Sequence, residues 1–223
     1  MSTTHWHRPV LMVGAMATLA LAGCQAADTG PVATEDRPVG TFQAINFDGA
    51  AQLDILVGPV PSLSITGSQS SRSAFTARVD GDRLLLDSHN TLWQPTVGKV
   101  IVRVTVPQLR ALKVSGAGEI TVNGISGDAL DILFEGAATL EASGKVGTLA
   151  VQMNGAGKMD LSRLEAQSAT VTTNGAGTID VNSTAALDAT VNGVGSINYY
   201  GKPAKVSTAI NGVVSISPRT RDH

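Results

Sequence analysis

Cysteine occurs once in the 223 residues, at Cys24, so no intrachain disulfide can staple the fold. Histidine is nearly as scarce, and only His89 and His223 follow Cys24. No Cys/His metal cluster, Ser/His/Asp set or Cys/His pair is assembled from such a supply. Aromatic residues make up 4% of the chain, which argues against a platform for stacking sugars. Charged residues are 15%, with a formal net charge of −2. That balance leaves no basic footprint for nucleic acid. No segment shows a convincing helical period; residues 70–77 form one turn at best.

Glycine, at 24 residues, is what the chain has in quantity, and part of it is periodic. One phrase recurs six times: SGAGEITV (115–122), EGAATLEA (135–142), NGAGKMDL (154–161), NGAGTIDV (174–181), NGVGSINY (192–199) and NGVVSISP (211–218). Its leading glycines, Gly116, Gly136, Gly155, Gly175, Gly193 and Gly212, are spaced by 20, 19, 20, 18 and 19 residues. Such a period marks a solenoid, whose units bury their apolar faces only by stacking. Ile120, Leu140, Met159, Ile179, Ile197 and Ile216 share one repeat position, and the next position is polar in every copy. Upstream, Val114, Phe134, Met153, Val191 and Ile210 alternate with polar neighbours, with Thr173 the polar exception. Period two on both sides of a glycine bend means two short strands per coil, the pattern of a β-helix. The bend glycines answer either a positive φ or a close backbone approach. Asn154, Asn174, Asn192 and Asn211 either form an amide ladder or merely tolerate a turn.

The N-terminus reads as a targeting segment. His5, His7 and Arg8 precede an apolar run, residues 10–22, that is too short for a spanning helix and reads as a secretory signal. Leu21-Ala22-Gly23-Cys24 resembles the lipobox of bacterial lipoproteins. The resemblance implies cleavage before Cys24, diacylglycerol on its thiol and acylation of the new amino group. Several acyl chains make a stable anchor. Gln25 stands where the lipoprotein sorting rule looks for Asp, which implies the outer membrane in a Gram-negative host. Residues 1–23 are thus expected to be a signal peptide and 24–40, polar and rich in breakers, a flexible tether.

Residues 41–218 are expected to be one all-β domain, with a charged tail at 219–223. Asn46 to Ile55 fits the repeat template as a degenerate early copy. Residues 63–66, 83–87 after an Asp80-Gly81 turn, and 99–107 read as further strands. Phe42, Phe47, Phe75 and Trp93 gather here, so this more irregular β end is expected to have a wider core and to cap the solenoid.

The ordered combination also resembles a family. Phe42-Gln43-Ala44-Ile45, then Val104 to Leu109 leading into Leu112-Lys113-Val114-Ser115-Gly116-Ala117-Gly118, the repeats, and Tyr200-Gly201-Lys202-Pro203 are similar to the bacterial putative auto-transporter adhesin, head GIN domain proteins. The resemblance spans 42–218 and implies a right-handed, single-stranded, pectin-lyase-like β-helix. It carries over no catalytic or binding residue. Glu135-Gly136-Ala137-Ala138 departs from the Gly-Ala-Gly pattern.

One constellation hints at a ligand. In register, Glu141, Asp160 and Asp180 stack in successive coils with Asn198 next. Such a column offers oxygens to Ca²⁺; the preferred reading is solvated acids partly balanced by Lys158 and Arg163. No cofactor is expected. The leading function is a membrane-anchored, non-enzymatic solenoid that binds an envelope protein or polysaccharide, with self-association open. The runner-up is an enzyme acting on acidic polysaccharide, suggested by fold analogy alone; a sensor of envelope state rests only on location.

Overall fold

Two runs of alternating residues around a glycine corner stack best on copies of themselves, and they do so here. A computed structural model describes residues 31–88 and 100–220; Cys24, the expected signal peptide, His89, Trp93 and the end of the tail lie outside them. Strands β2 (Ala44–Val57), β7 (Ala111–Phe134), β8 (Ala137–Met153), β9 (Ala156–Thr173), β10 (Ala176–Tyr200) and β11 (Lys205–Pro218) pair in that order, all parallel. The register is the one expected from the repeat: Gly49 lies beside Gly116, and Leu53 beside Ile120. Ile120 meets Leu140, then Met159, then Ile179, while Ile197 meets Ile216. The early copy at 46–55 is therefore the first coil.

The uneven spacing has one origin. Pairing runs without slip through the glycine corner and the leg after it, Ala117–Val122 on Ala137–Ala142 for example. Slips fall between Val122 and Ile125, Glu141 and Ser143, Val181 and Asn182, and Ser183 and Ala186. The first three lie at the corner that follows this second leg, where a third leg (144–149 in one coil) begins, and the last lies within that leg. Residues are gained and lost there, so the buried ladders on the other legs stay aligned.

Those ladders are the core. Phe47, Val114, Phe134 and Met153 form one; Leu53, Ile120, Leu140, Met159 and Ile179 another; Leu130 and Leu149 belong to the third leg. All are at most 1% exposed. Each such side chain contributes about 1.5–3 kcal/mol by leaving water, and stacking like on like leaves no helix needed to cover the sheet.

At the N-terminal end two strands cover the first coil. β5 (Arg83–Ser88) lies parallel to Ala44–Asp48, and β6 (Ile101–Val106) lies parallel to Gln52–Val57. Antiparallel strands β4 (Phe75–Asp80) and β3 (Ser62–Gly67) extend these two edges. Phe42, Phe47 and Phe75 are buried there, which makes the wider cap expected from the aromatics. A short helix, α1 (Gln69–Ser73), begins where the Ser68 hydroxyl accepts from the Ser71 amide at 3.2 Å.

One expectation is corrected. Ala33–Arg37, inside the segment assigned to the tether, forms strand β1 antiparallel to β3. Its side chains are almost all exposed, so it has no apolar period to read. Backbone pairing and Arg37 hold it instead: the guanidinium donates to the carbonyls of Phe75 at 2.6 Å and Arg72 at 2.9 Å.

The glycines of the repeat serve close approach. Gly116, Gly136, Gly155, Gly175 and Gly193 do not have positive φ. A Cβ on Gly175 would fall on the carbonyl oxygen of Gly155, and the same holds for each leading glycine against the one before it. The second glycine column is less strict, since Ala51, Ala138 and Val214 stand in it. The departure, Ala138, falls in this second column.

Two stability predictions follow from this packing. Gly175→Ala should destabilise the domain by about 1–3 kcal/mol, as overpacking does, although Gly→Ala at an unstrained, open site stabilises. Urea denaturation decides, with Ala176→Gly, on the exposed corner, as the mild control. Thr173 is the opposite case: it is 4% exposed, and its hydroxyl lacks a partner among the described residues. Thr173→Val should raise stability by about 1 kcal/mol, by relieving a buried unsatisfied hydroxyl; an unchanged or lower urea midpoint would show that the hydroxyl is satisfied.

Candidate functional site

Residues that alternate with the buried ones point outward, and stacking turns them into columns along the solenoid. The asparagine column is an amide ladder. Asn174 donates to Asn154 at 2.9 Å, Asn192 to Asn174 at 2.8 Å and Asn211 to Asn192 at 3.0 Å. No described non-glycine residue has positive φ, so tolerance of a left-handed turn does not account for these residues. Beside them runs the outer corner, Ala117, Ala137, Ala156, Ala176, Val194 and Val213, all exposed.

The acidic column has the expected register, with Glu141 beside Asp160 and Asp160 beside Asp180. The three carboxylates do not converge. Arg163, from the corner of the next coil, reaches Glu141 at 2.8 Å. Asp160 accepts from the Ser162 hydroxyl at 2.6 Å and the Ser162 amide at 3.1 Å. Asp180, 8% exposed, accepts from Asn198 at 2.7 Å. Each acid thus has its own donor: Arg163 and Asn198 were expected nearby, whereas Ser162, in the irregular corner, was not. Among the described residues, no group of three or more His, Cys, Asp or Glu is placed to hold a metal ion.

Two carboxyls are tuned by these contacts. Burial alone would raise the Asp160 pKa, but the two Ser162 hydrogen bonds, with Lys158 and Arg163 nearby, bring it below the ordinary value. Glu135 is lowered chiefly by its hydrogen bond from Lys113, at 2.7 Å, with Ser115 adding a weaker one. A first-leg groove of about 370 Å³ is lined by Lys113, Arg83, Asp131, Ala111 and Ala150 among others. No serine, cysteine or histidine lines it, nor does any member of the acidic column. The arrangement offers polar contacts along an axis.

A family model described as "Putative auto-transporter adhesin, head GIN domain" matches residues 41–203. The chain belongs to this family. The head GIN match stops just short of β11, so it is narrower than the 42–218 expected from the motifs. Among solved structures, a putative adhesin from Bacteroides fragilis NCTC 9343 is 23% identical with TM-score 0.71, covering 86% of this chain and 99% of that one. A putative lipid binding protein from Parabacteroides distasonis ATCC 8503 is 18% identical with TM-score 0.46, covering 86% and 98%. A putative adhesin from that organism is 19% identical with TM-score 0.45 over the same shares. Curated proteins give no match. The head GIN domain here is a β-solenoid, and among its described residues no helix is long and apolar enough to cross a membrane.

The Asp160 contacts give a pH prediction. A carboxyl with lowered pKa adds stability that is present above its unfolded value, near 4, and fades as pH falls through the folded value. Ser162→Ala removes the shorter of the two bonds while burial remains. The Asp160 midpoint should therefore move upward, which carbonyl-carbon NMR titration reads directly. A midpoint unmoved in the variant would mean that the hydroxyl does not hold the carboxylate.

Proposed function

We propose that this chain is an envelope lipoprotein, anchored through acylated Cys24, whose solenoid is a non-enzymatic scaffold for binding another envelope macromolecule. The observation that carries the scaffold reading is the continuity of the outer columns. Amide, small apolar and individually paired acidic residues repeat coil after coil on a backbone that cannot bend without breaking its ladders. Such a face binds by many equivalent weak contacts, which suits an extended polymer or a repetitive protein surface. Family membership supports the same reading. The acidic column does not line the first-leg groove and its carboxylates are separately engaged, so nothing specific favours an enzyme of acidic polysaccharide.

The anchor reading rests on Leu21-Ala22-Gly23-Cys24 after the apolar run. With β1 beginning at Ala33, the tether shortens to residues 25–32. Cys24→Ser should move the protein from the detergent-extracted membrane fraction to the soluble fraction and abolish incorporation of labelled fatty acid. A wild type that takes up no label, with a variant that still sediments with membranes, would refute the anchor.

A further inference from the structure

The chain holds five Asn-Gly pairs, beginning at Asn123, Asn154, Asn174, Asn192 and Asn211. In this dipeptide the glycine nitrogen can attack the asparagine side chain, because glycine has no Cβ to hinder the approach. The ring that forms, a succinimide, requires the asparagine backbone to leave the extended strand conformation. Four of the pairs stand on the glycine corner, and three of those are held by coils on both sides. Asn154 and Ala156 donate to Phe134 and Gly136 of the coil before, at 2.8 and 2.9 Å. Met153 and Gly155 accept from Asn174 and Ala176 of the coil after, at 2.7 and 3.0 Å. Asn192 and Gly193 pair with Asn211 and Gly212. The side chains of these asparagines are bound into the amide ladder as well.

Asn123-Gly124 is placed differently. Both residues are exposed and stand at the first register slip. Val122 pairs with Ala142 and Ile125 with Gly144, so the two residues face Ser143 alone. A bulge of this kind leaves its extra residue unpaired and bends the strand. Gly124 has a φ of 77°, in the region that glycine enters without strain. The Ser143 hydroxyl donates to Oδ1 of Asn123 at 2.9 Å. Asn211, on the open last coil, is freer on one side than the inner corners, but among the described residues no donor reaches its Oδ1.

We propose that Asn123-Gly124 is a self-modifying site. The Gly124 nitrogen, having lost its proton to solvent base, attacks Cγ of Asn123. The carbonyl electron pair moves onto Oδ1, where the Ser143 hydroxyl stabilises it as an oxyanion hole does. The Cγ–Nδ2 bond then breaks, and ammonia leaves with a proton from solvent. Water opens the succinimide at one carbonyl or the other, giving aspartate or isoaspartate at position 123. One water enters and one ammonia departs, with no change of oxidation state. Nucleophile and carbonyl sit on adjacent residues, so the step is intramolecular and needs no second molecule to be positioned.

The corner also tolerates the product. Isoaspartate lengthens the backbone by one atom, and here the chain already gains and loses residues without disturbing the buried ladders. At the glycine corner the same insertion would break the close contact of each coil with the one before. Either product puts a carboxylate on the surface beside Ser143 and, one coil further, Arg163. That surface therefore gains a negative charge as the molecule ages.

The test incubates the folded full chain at mildly alkaline pH and quantifies each Asn-Gly peptide by mass spectrometry. Asn123 should convert at least about tenfold faster than Asn154, Asn174 or Asn192, the ratio that one strong hydrogen bond's worth of restraint gives. Ser143→Ala should slow conversion at Asn123 about tenfold, and Ser143→Thr, which keeps the hydroxyl, should preserve it. A bond that merely held the side chain in place would have the opposite sign, since its loss would free Asn123 to react. Circular dichroism confirms that each variant keeps its β-sheet spectrum. Three results would overturn the proposal. One is an Asn123 that stays intact while a peptide of residues 120–127 converts fully. Another is fastest conversion at Asn211, which would mean that a free strand edge selects the site. The third is a Ser143→Ala variant that reacts as fast as the parent or faster.

Discussion

The distance between coils governs everything else in this molecule. Parallel strands lie about 4.8 Å apart, and at the glycine corner that spacing brings the carbonyl of one coil to where the next would place a Cβ. The column Gly49, Gly116, Gly136, Gly155, Gly175, Gly193, Gly212 is the chemical cost of turning sharply while keeping every backbone pair. Once the corner closes, both flanking legs are held in register, and like positions fall on like. The apolar ladders inside and the amide ladder outside are consequences of that one contact.

The same constraint shapes the chemistry of the surface. Catalysis needs unlike groups to converge on one point, whereas in-register stacking separates like groups along an axis. Glu141, Asp160 and Asp180 share a column, yet each turns to a different donor: Arg163, Ser162 and Asn198. Two of those donors come from the corner where the register slips. Irregularity there lets an arginine of one coil neutralise a glutamate of its neighbour, which strict repetition of the acidic position alone would not allow.

What the sequence made legible was whatever the repeat imposes. The ladder at Leu140, Met159 and Ile179, the early copy around Gly49 and the aromatic cap around Phe47 could be read because period two and a fixed corner leave one arrangement of inside and outside. The reason for the glycines stayed open, since close approach and positive φ give the same residue; only the position of the neighbouring carbonyl separates them. The asparagines were ambiguous for a similar reason, until side-chain distances showed the ladder. β1 was missed outright. An edge strand with solvent on both faces carries Glu35, Asp36 and Arg37 in place of an apolar alternation, and what fixes it, the Arg37 guanidinium on two distant carbonyls, leaves no local signal. Thr173 was visible as an exception, but its burial had to be seen.

A solenoid has the further property that its interior is finished only at its ends. Along the middle, each coil covers the previous one and is covered by the next, so no residue there has to solve a problem alone. At the first coil the chain spends residues 33–37, 62–88 and 101–106 on closing the core, with two antiparallel extensions and a charged outer strand. At the last coil it spends none that the described residues show, and Val206 and Ile210, the inward side chains of the first leg of β11, stand in solvent. If the proposed anchor tethers residue 24 close to the membrane, β1 places the closed end toward it and the open end away. The scaffold then carries its regular columns along its flanks and its least satisfied surface at the tip. Contacts along the flank would be numerous and weak, while a contact at the tip buries apolar ladders and pairs a whole strand, so the tip is where a single specific partner gains most from binding.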